Sequence, residues 1–193
     1  KIGIQTIHRE PDDQHGPWLP KIDELVEFVQ LVDKSGFDSL WVGDHLSMPL
    51  PFFDPFQQLA QAAVASRRLL LGTSVYLLPL RHPGPVAKQA ITLDHLSEGR
   101  LLFGVGIGGE FPKEYEVAGV PMNERGARLS ESIEVMRELW SGEPASYNGK
   151  FFKFSEVRMT PPPRQKNGPP IWCGGRKDVA FERMGRLADG YVS

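Results

Sequence analysis

The sequence predicts an α/β fold built on a parallel sheet, and three observations carry that prediction. Short apolar, β-branched runs alternate with longer segments whose apolar residues recur at helical spacing. The alternation gives six strands and five intervening helices in one series, an order that demands parallel strands joined by right-handed crossovers. Apart from one proline run the chain shows no linker, internal repeat or low-complexity stretch, so residues 1–193 are expected to form a single domain. Such a series either closes into an eight-stranded barrel or stays open as a doubly wound sheet, and periodicity alone does not separate the two.

Ile2 to Ile7 reads as the first strand, followed by a polar loop rich in Asp, His, Gly and Pro. From Lys21 to Lys34, Ile22, Leu25, Val26, Val29 and Val32 share one helical face, and Gly36 stands where a glycine commonly closes a helix. Ser39 to Val42 is the second strand, Pro55 to Ser66 a helix, and Leu69 to Val75 the third strand. A helix from about Gly84 to Leu96 leads into the strand Leu101 to Val105, and a longer helix near Glu124 to Trp140 carries Leu129, Ile133, Met136 and Trp140 on one stripe. Tyr147 to Val157 then places Phe151, Phe152 and Phe154 around Asn148-Gly149, the pattern of a short hairpin inserted before strand five. Pro161-Pro162-Pro163 and Pro169-Pro170 exclude helix and predict an extended connection over the surface. The alternation resumes with strand Ile171 to Cys173, helix Val179 to Leu187 and a last apolar stub at Gly190 to Val192.

Composition narrows the function classes. With 22 Lys plus Arg against 24 Asp plus Glu, the formal charge of −2 leaves no electrostatic footprint for nucleic acid or an anionic membrane. The single cysteine, Cys173, rules out intrachain disulfides and multi-cysteine zinc sites and suits a reducing compartment. No apolar run approaches the roughly 18 residues that span a bilayer, and the first residues lack a signal-peptide layout, so a cytoplasmic location is expected. No His/Glu pair occurs at ligand spacing on a helix, so no metal is expected.

In either parallel architecture ligands gather at the carboxyl edge of the strands, so the residues just after each strand are informative. Strand two ends in Gly43-Asp44-His45, a carboxylate beside an imidazole: a pair suited to moving a proton, or an Asp that caps the following loop beside a surface His. Gly72-Thr73-Ser74 is either a position where barrel side chains crowd or a place where a flat ring approaches the backbone. Arg81 and His82 read as a solvated loop before Pro83. Gly104-Val105-Gly106-Ile107-Gly108-Gly109 matches G-x-G-x-x-G literally, but Pro112 interrupts the segment that should open directly into a helix, which argues against a nicotinamide dinucleotide site. Cys173-Gly174-Gly175-Arg176 precedes a helix, and its exposed N–H groups and fixed cation form a phosphate cradle, with a tight turn as the alternative. Cys173 itself reads as a buried filler, His95 as structural, and Arg125 and Arg128 as partners of Glu124 and Glu131.

Taken in order, Gly36-Phe37-Asp38-Ser39-Leu40-Trp41-Val42-Gly43-Asp44-His45, Leu71-Gly72-Thr73-Ser74-Val75, Leu78-Pro79-Leu80-Arg81-His82-Pro83, Gly104-Val105-Gly106-Ile107-Gly108, Glu124-Arg125-Gly126 and Pro170-Ile171-Trp172-Cys173-Gly174-Gly175 resemble the luciferase-like monooxygenase family, in particular its deazaflavin (F420)-dependent oxidoreductase branch. The resemblance implies a (β/α)8 TIM barrel with a flavin or deazaflavin across the carboxyl ends of the strands. It implies His45 as a proton donor or charge stabiliser and Asp44 as a residue that holds the coenzyme, with Thr73, Ser74, Val75, Gly106, Ile107, Gly108, Cys173, Gly174, Gly175 and Arg176 as cofactor contacts. The resemblance implies that the stretch matching Ser74-Val75, which in the family commonly contains a non-proline cis peptide, forms a bulge behind the ring. Related sugar-phosphate dehydrogenases have an acid directly after the position matching Gly108; here Gly109 intervenes and the candidate acid is Glu110. Their ring-contacting Thr corresponds to Leu77.

The implied activity is F420-dependent hydride transfer to or from a small organic substrate. The alternatives are an FMN-dependent monooxygenase using reduced flavin and O2, and a non-catalytic flavin-binding protein. A homodimer is expected from the same resemblance. Because a (β/α)8 barrel takes about 250 residues, 193 residues with six strands predict a barrel whose C-terminal part is missing.

Overall fold

The computed structural model describes residues 2–5 and 21–192. The polar loop after the first strand, and that strand's expected end at Thr6 and Ile7, lie outside the described residues. The chain forms β1 (Gly3–Gln5), α1 (Ile22–Lys34), β2 (Ser39–Val42), α2 (Pro55–Ala65), β3 (Leu70–Thr73), α3 (Pro83–Leu96), β4 (Leu101–Val105), α4 (Pro112–Val117), α5 (Arg125–Leu139), β5 (Ala145–Asn148), β6 (Lys153–Val157), β7 (Ile171–Gly174), α6 (Asp178–Leu187) and β8 (Gly190–Val192).

Six strands pair in the order β1-β2-β3-β4-β7-β8, every neighbour parallel, and β5 with β6 make a separate antiparallel hairpin. The order never reverses, and α1 packs on α2, α2 on α3, α3 on α5 and α5 on α6, so the helices follow one another along one face. That excludes the doubly wound sheet, which needs a switch point and helices on both faces. The result is a curled half-barrel of six strands, part of the eight-stranded architecture.

Alternation along the strands sorts side chains between the two faces. Leu40, Val42, Leu71, Leu101, Phe103, Val105 and Ile171 are buried against Val29, Phe56, Leu59, Ala90, Ile91, Leu129, Ile133 and Met136 of the helices. The concave face carries Trp41 and Trp172, whose ring centroids lie 5.5 Å apart. A Cβ placed on Gly72 would come within 2.2 Å of the Trp41 ring, and one on Gly190 within 2.7 Å of Trp172. Large and absent side chains therefore alternate across the strands and floor the barrel below its carboxyl edge.

Local chemistry sets the helix ends. Asp54 caps α2 by accepting from Phe56 N and Gln57 N, with Pro55 in the first turn. His82 Nδ1 accepts from Gly84 N at the start of α3, one residue before the predicted boundary. Gly36, at φ 81°, closes α1 as its position suggested. Pro112, read from sequence as an interruption, instead opens α4: its missing N–H costs nothing in a first helical turn.

The hairpin is clipped to α5 by buried Glu131, which accepts from Lys150 N, Phe151 N and Phe152 N. Arg128 pairs with Glu124 as expected, but Glu131 is spent on these amides and Arg125 donates to Met122 O. The proline-rich connection lies over α3, where His95 Nε2 meets Pro162 O at 2.8 Å and buried Asp94 accepts from Gln165 N and Nε2. His95 is thus structural, as predicted.

After Thr73 the chain leaves the sheet for two residues and returns at Tyr76, which bridges to Val105. The Ser74–Val75 peptide is cis. Gly104 is the pivot of this bulge: its carbonyl accepts from Tyr76 N at 2.8 Å and Thr73 Oγ1 at 2.7 Å, and a Cβ there would sit 1.9 Å from the Thr73 carbonyl oxygen. Because backbone and not a flexible side chain blocks the space, Gly104→Ala is expected to destabilise the fold by at least about 1–3 kcal/mol. Urea unfolding checks this, and a loss below roughly 0.5 kcal/mol would contradict the packing described.

Candidate active site

The loops after β2, β3, β4 and β7, with the ends of β1 and β8, converge at the carboxyl edge around a cavity of about 800 Å³. Its size is that of a site for a cofactor or a drug-sized ligand. One wall is the β2 loop with Gly43, Asp44, His45 and Phe52; another is the bulge with Ser74, Val75 and Leu77. The β4 loop adds Gly106, Ile107, Gly108 and Glu110, and the β7 loop adds Gly174, Gly175, Arg176 and Lys177.

The bulge is built against glycine. A Cβ at Gly106 would lie 2.4 Å from Val75 Cγ2, and one at Gly174 would lie 3.0 Å from Val75 Cγ1. Val75 therefore rests on bare backbone of both neighbouring strand ends and presents a smooth apolar wall. Gln5 Nε2 donates to Ser74 O at 3.2 Å, tying the bulge to the end of β1, a contact that no motif announced.

Asp44 is buried and its carboxylate is heavily used. Arg81 donates to both oxygens, at 2.6 and 2.8 Å, and Leu77 N donates to Oδ2 at 2.8 Å. Arg81 also lies 4.4 Å above the centre of the Tyr76 ring. Burial works against the Arg81 charge, but the hydrogen bond and charge of Asp44 outweigh it and hold the guanidinium above its usual pKa. The solvated loop expected for Arg81 is therefore corrected: its side chain is 17% exposed and locks the β2 loop to the β3 loop. Leu77 contributes its backbone N–H to this lock.

His45 meets a partner from a distant element. Its Nδ1 lies 3.1 Å from Oε1 and 3.3 Å from Oε2 of Glu114, on α4. The same Oε1 accepts from Leu46 N at 2.7 Å and Ser47 N at 3.2 Å. Glu114 is 1% exposed, whereas the His45 side chain is 19% exposed and lines the cavity. Phe52 and Phe111 meet the imidazole edge-on, at 4.9 and 5.4 Å between centroids. Tyr115, beside Glu114, anchors α4 by donating to Ile107 O; burial raises its phenol to about 12, keeping it a donor at neutral pH.

The candidate residues thus divide. Asp44, His45, Ser74, Val75, Gly106, Ile107, Gly108, Glu110, Gly174, Gly175 and Arg176 all line the cavity. Glu110 sits exposed at its rim with no hydrogen bond or ion pair to another described residue, while the acid joined to His45 is Glu114, four residues on. Thr73 and Cys173 are buried on the helix-facing side and do not reach the cavity, a correction that follows from strand alternation: Ser74 and Gly174, one residue later, face inward. Burial raises the Cys173 thiol to about 11, which fits the buried-filler reading.

The cavity's lining is also cationic. Arg125 and Gly126 at the start of α5, and Arg183 of α6, join Arg176 and Lys177 in its lining, together with Asn123. Among the described residues none of the four cations forms an ion pair, and Arg125 Nε is buried without a hydrogen-bond partner. Arg183 donates to Ser130 Oγ at 2.9 Å, and burial lowers its pKa. Half-buried Arg125 and Arg183, together with exposed Arg176 and Lys177 directly after Gly174 and Gly175, favour an anion. An apolar wall, a proton-bearing group and an anion cradle in one cavity fit a flavin-like group in shape and charge. The described residues include no cluster that could hold a metal ion and no helix long and apolar enough to cross a membrane.

Comparisons with known proteins identify the family and the fold. The family model for luciferase-like monooxygenases matches residues 1–193. The oxygenase component of the flavin-dependent trigonelline monooxygenase of Acinetobacter baylyi is 34% identical over 178 residues, 91% of this chain and 49% of that protein. An F420-dependent glucose-6-phosphate dehydrogenase of Microbacterium testaceum is 32% identical over 203 residues, 100% of this chain and 57% of that protein. The crystal structure of the monooxygenase RslO1 from Streptomyces bottropensis superposes with a TM-score of 0.87 at 29% identity, covering 99% of this chain and 58% of that one. The chain therefore spans about half the length of these relatives.

Proposed function

The chain belongs to the luciferase-like monooxygenase family, and from that premise we propose that its cavity binds coenzyme F420 and serves hydride transfer to or from a small organic substrate. The observation that carries the reading is His45, held at one ring nitrogen by buried Glu114 and lining the same cavity as the Val75 wall and the cationic cradle. Moving a hydride between a carbon and a cofactor leaves a proton to be supplied or removed at the neighbouring oxygen. A histidine with one free nitrogen is the group suited to that work near neutral pH.

In this reading Gly174, Gly175, Arg176, Lys177 and Arg183 hold the phosphate of the cofactor tail, with Arg125 available to the same anion. Val75, Gly106, Ile107 and Gly108 seat the ring system. The cofactor, when bound, accepts or delivers the hydride. Phe52, Phe111 and Leu77 exclude water beside His45. For an alcohol substrate, His45 Nε2 takes the hydroxyl proton as the hydride leaves carbon and a carbonyl forms; the reverse reaction returns the proton to the carbonyl oxygen. Asp44 contributes by holding the β2 loop through Arg81 and Leu77 N.

Titration with F420 and with FMN, followed by turnover in air and in its absence, tests the reading. F420 is expected to bind more tightly, and reduced F420 to be reoxidised by small carbonyl compounds without uptake of O2. Tight FMN binding with O2 uptake would instead establish a reduced-flavin monooxygenase, and cofactor binding with no turnover a flavin-binding protein.

A further inference from the structure

We propose that Glu114 is a positioning residue for His45: it holds the imidazole in the tautomer protonated at Nδ1 and thereby makes Nε2 the proton-carrying atom presented to substrate. The proposal rests on the reading of His45 as the proton carrier and adds a residue that neither the strand-end motifs nor the family resemblance pointed to.

Glu114 Oε1 already accepts from Leu46 N and Ser47 N, at 2.7 and 3.2 Å. An oxygen committed to two backbone N–H groups faces the ring as an acceptor, so the nitrogen that meets it, His45 Nδ1 at 3.1 Å, carries the hydrogen. In the neutral ring the hydrogen is then absent from Nε2, which becomes the acceptor. Leu46 and Ser47 directly follow His45, so one carboxylate fixes both the ring and the backbone that bears it. The Phe52 and Phe111 edges restrict the ring plane on two further sides. Burial keeps water from competing for the carboxylate, which is 1% exposed. A side chain held in place by a buried partner acts with less reorganisation than one on a mobile loop.

The tautomer can be read without cofactor or turnover. In the long-range ¹H–¹⁵N spectrum of the full chain labelled at histidine, with His45 assigned by loss of its signals in His45→Asn, the neutral ring is expected to show a protonated Nδ1 and a bare Nε2. The opposite pattern would overturn the proposal, whatever the fate of any Glu114 variant.

Glu114→Gln supplies the second arm. Its retained oxygen can keep the Leu46 and Ser47 amides, which turns its NH2 towards Nδ1 and reverses the tautomer. We expect kcat to fall by about 100-fold or more, with KM and the F420 dissociation constant changed by less than roughly threefold, the signature of a group that acts only on the chemical step. A folded Glu114→Gln protein with reversed tautomer and kcat within about twofold of wild type would overturn the positioning role. Failure to bind F420, with the Nδ1-protonated ring intact, would instead sink the functional reading, so the two failures are distinguishable.

Discussion

Replacing His45 with alanine is expected to lower kcat by about 10²–10⁴-fold while leaving the F420 dissociation constant within roughly threefold of wild type. The separation follows from geometry. His45 touches the cavity with an edge of its ring and is fastened behind by Glu114, whereas the Val75 wall and the Gly174-Gly175-Arg176 cradle lie on other loops. Removing the imidazole leaves those surfaces unchanged. It also leaves Glu114 with two backbone donors, Leu46 N and Ser47 N, so the buried carboxylate is not stranded and the fold should survive. Stopped-flow reoxidation of reduced F420 and equilibrium titration of the same variant measure the two quantities. Surviving turnover would refute His45 as the proton carrier; loss of cofactor binding in a folded variant would make it a binding residue.

How far the sequence foretells this arrangement depends on the kind of signal. Strands β2 and β4 fall where the apolar runs place them, because a parallel strand buried behind helices has to be a short, nearly continuous apolar segment. The cavity-lining glycines are legible for a related reason: they follow strands, and strand ends are where this architecture puts its ligands. The positioning carboxylate is not legible that way. Glu114 sits on a six-residue helix opened by Pro112, too short for helical periodicity to register, and proline before it reads as an interruption when its role as a first-turn residue is not considered. A Pro followed within one turn by acids, Pro112-Lys113-Glu114, is the signal that could have revealed the helix.

Arg81 shows a second limit. A cation beside His82 and Pro83 has the local composition of a solvated loop, and only the fold, by curling β3 beside β2, brings it onto Asp44, 37 residues earlier. Thr73 and Cys173 fail through register: in a strand one residue separates the helix-facing side from the cavity side, and family resemblance aligns segments without resolving which face each member takes. Local patterns thus report elements and edges, while pairings between loops belong to the closed geometry.

That distinction makes Asp44 the most informative test of the architecture. Resemblance casts it as a residue that holds the coenzyme, whereas its oxygens are engaged by Arg81 at 2.6 and 2.8 Å and by Leu77 N at 2.8 Å. A strut and a ligand predict different losses. Asp44→Asn keeps the volume but sets an NH2 group against a guanidinium and removes the charge that balances a cation whose side chain is 17% exposed. Breaking a buried pair in this way costs about 3–5 kcal/mol, because the surviving charge stays desolvated. The denaturant midpoint of Asp44→Asn should fall accordingly, and Asp44→Asn/Arg81→Met, which removes the stranded charge and keeps an apolar stem over Tyr76, should recover a substantial part of the loss. A strut also predicts that both variants lose cofactor affinity through displacement of the β2 and β3 loops, with the double variant less affected than the single. If instead Asp44→Asn unfolds within roughly 1 kcal/mol of wild type while F420 binding collapses, the carboxylate works as a ligand and the Arg81 pair is incidental.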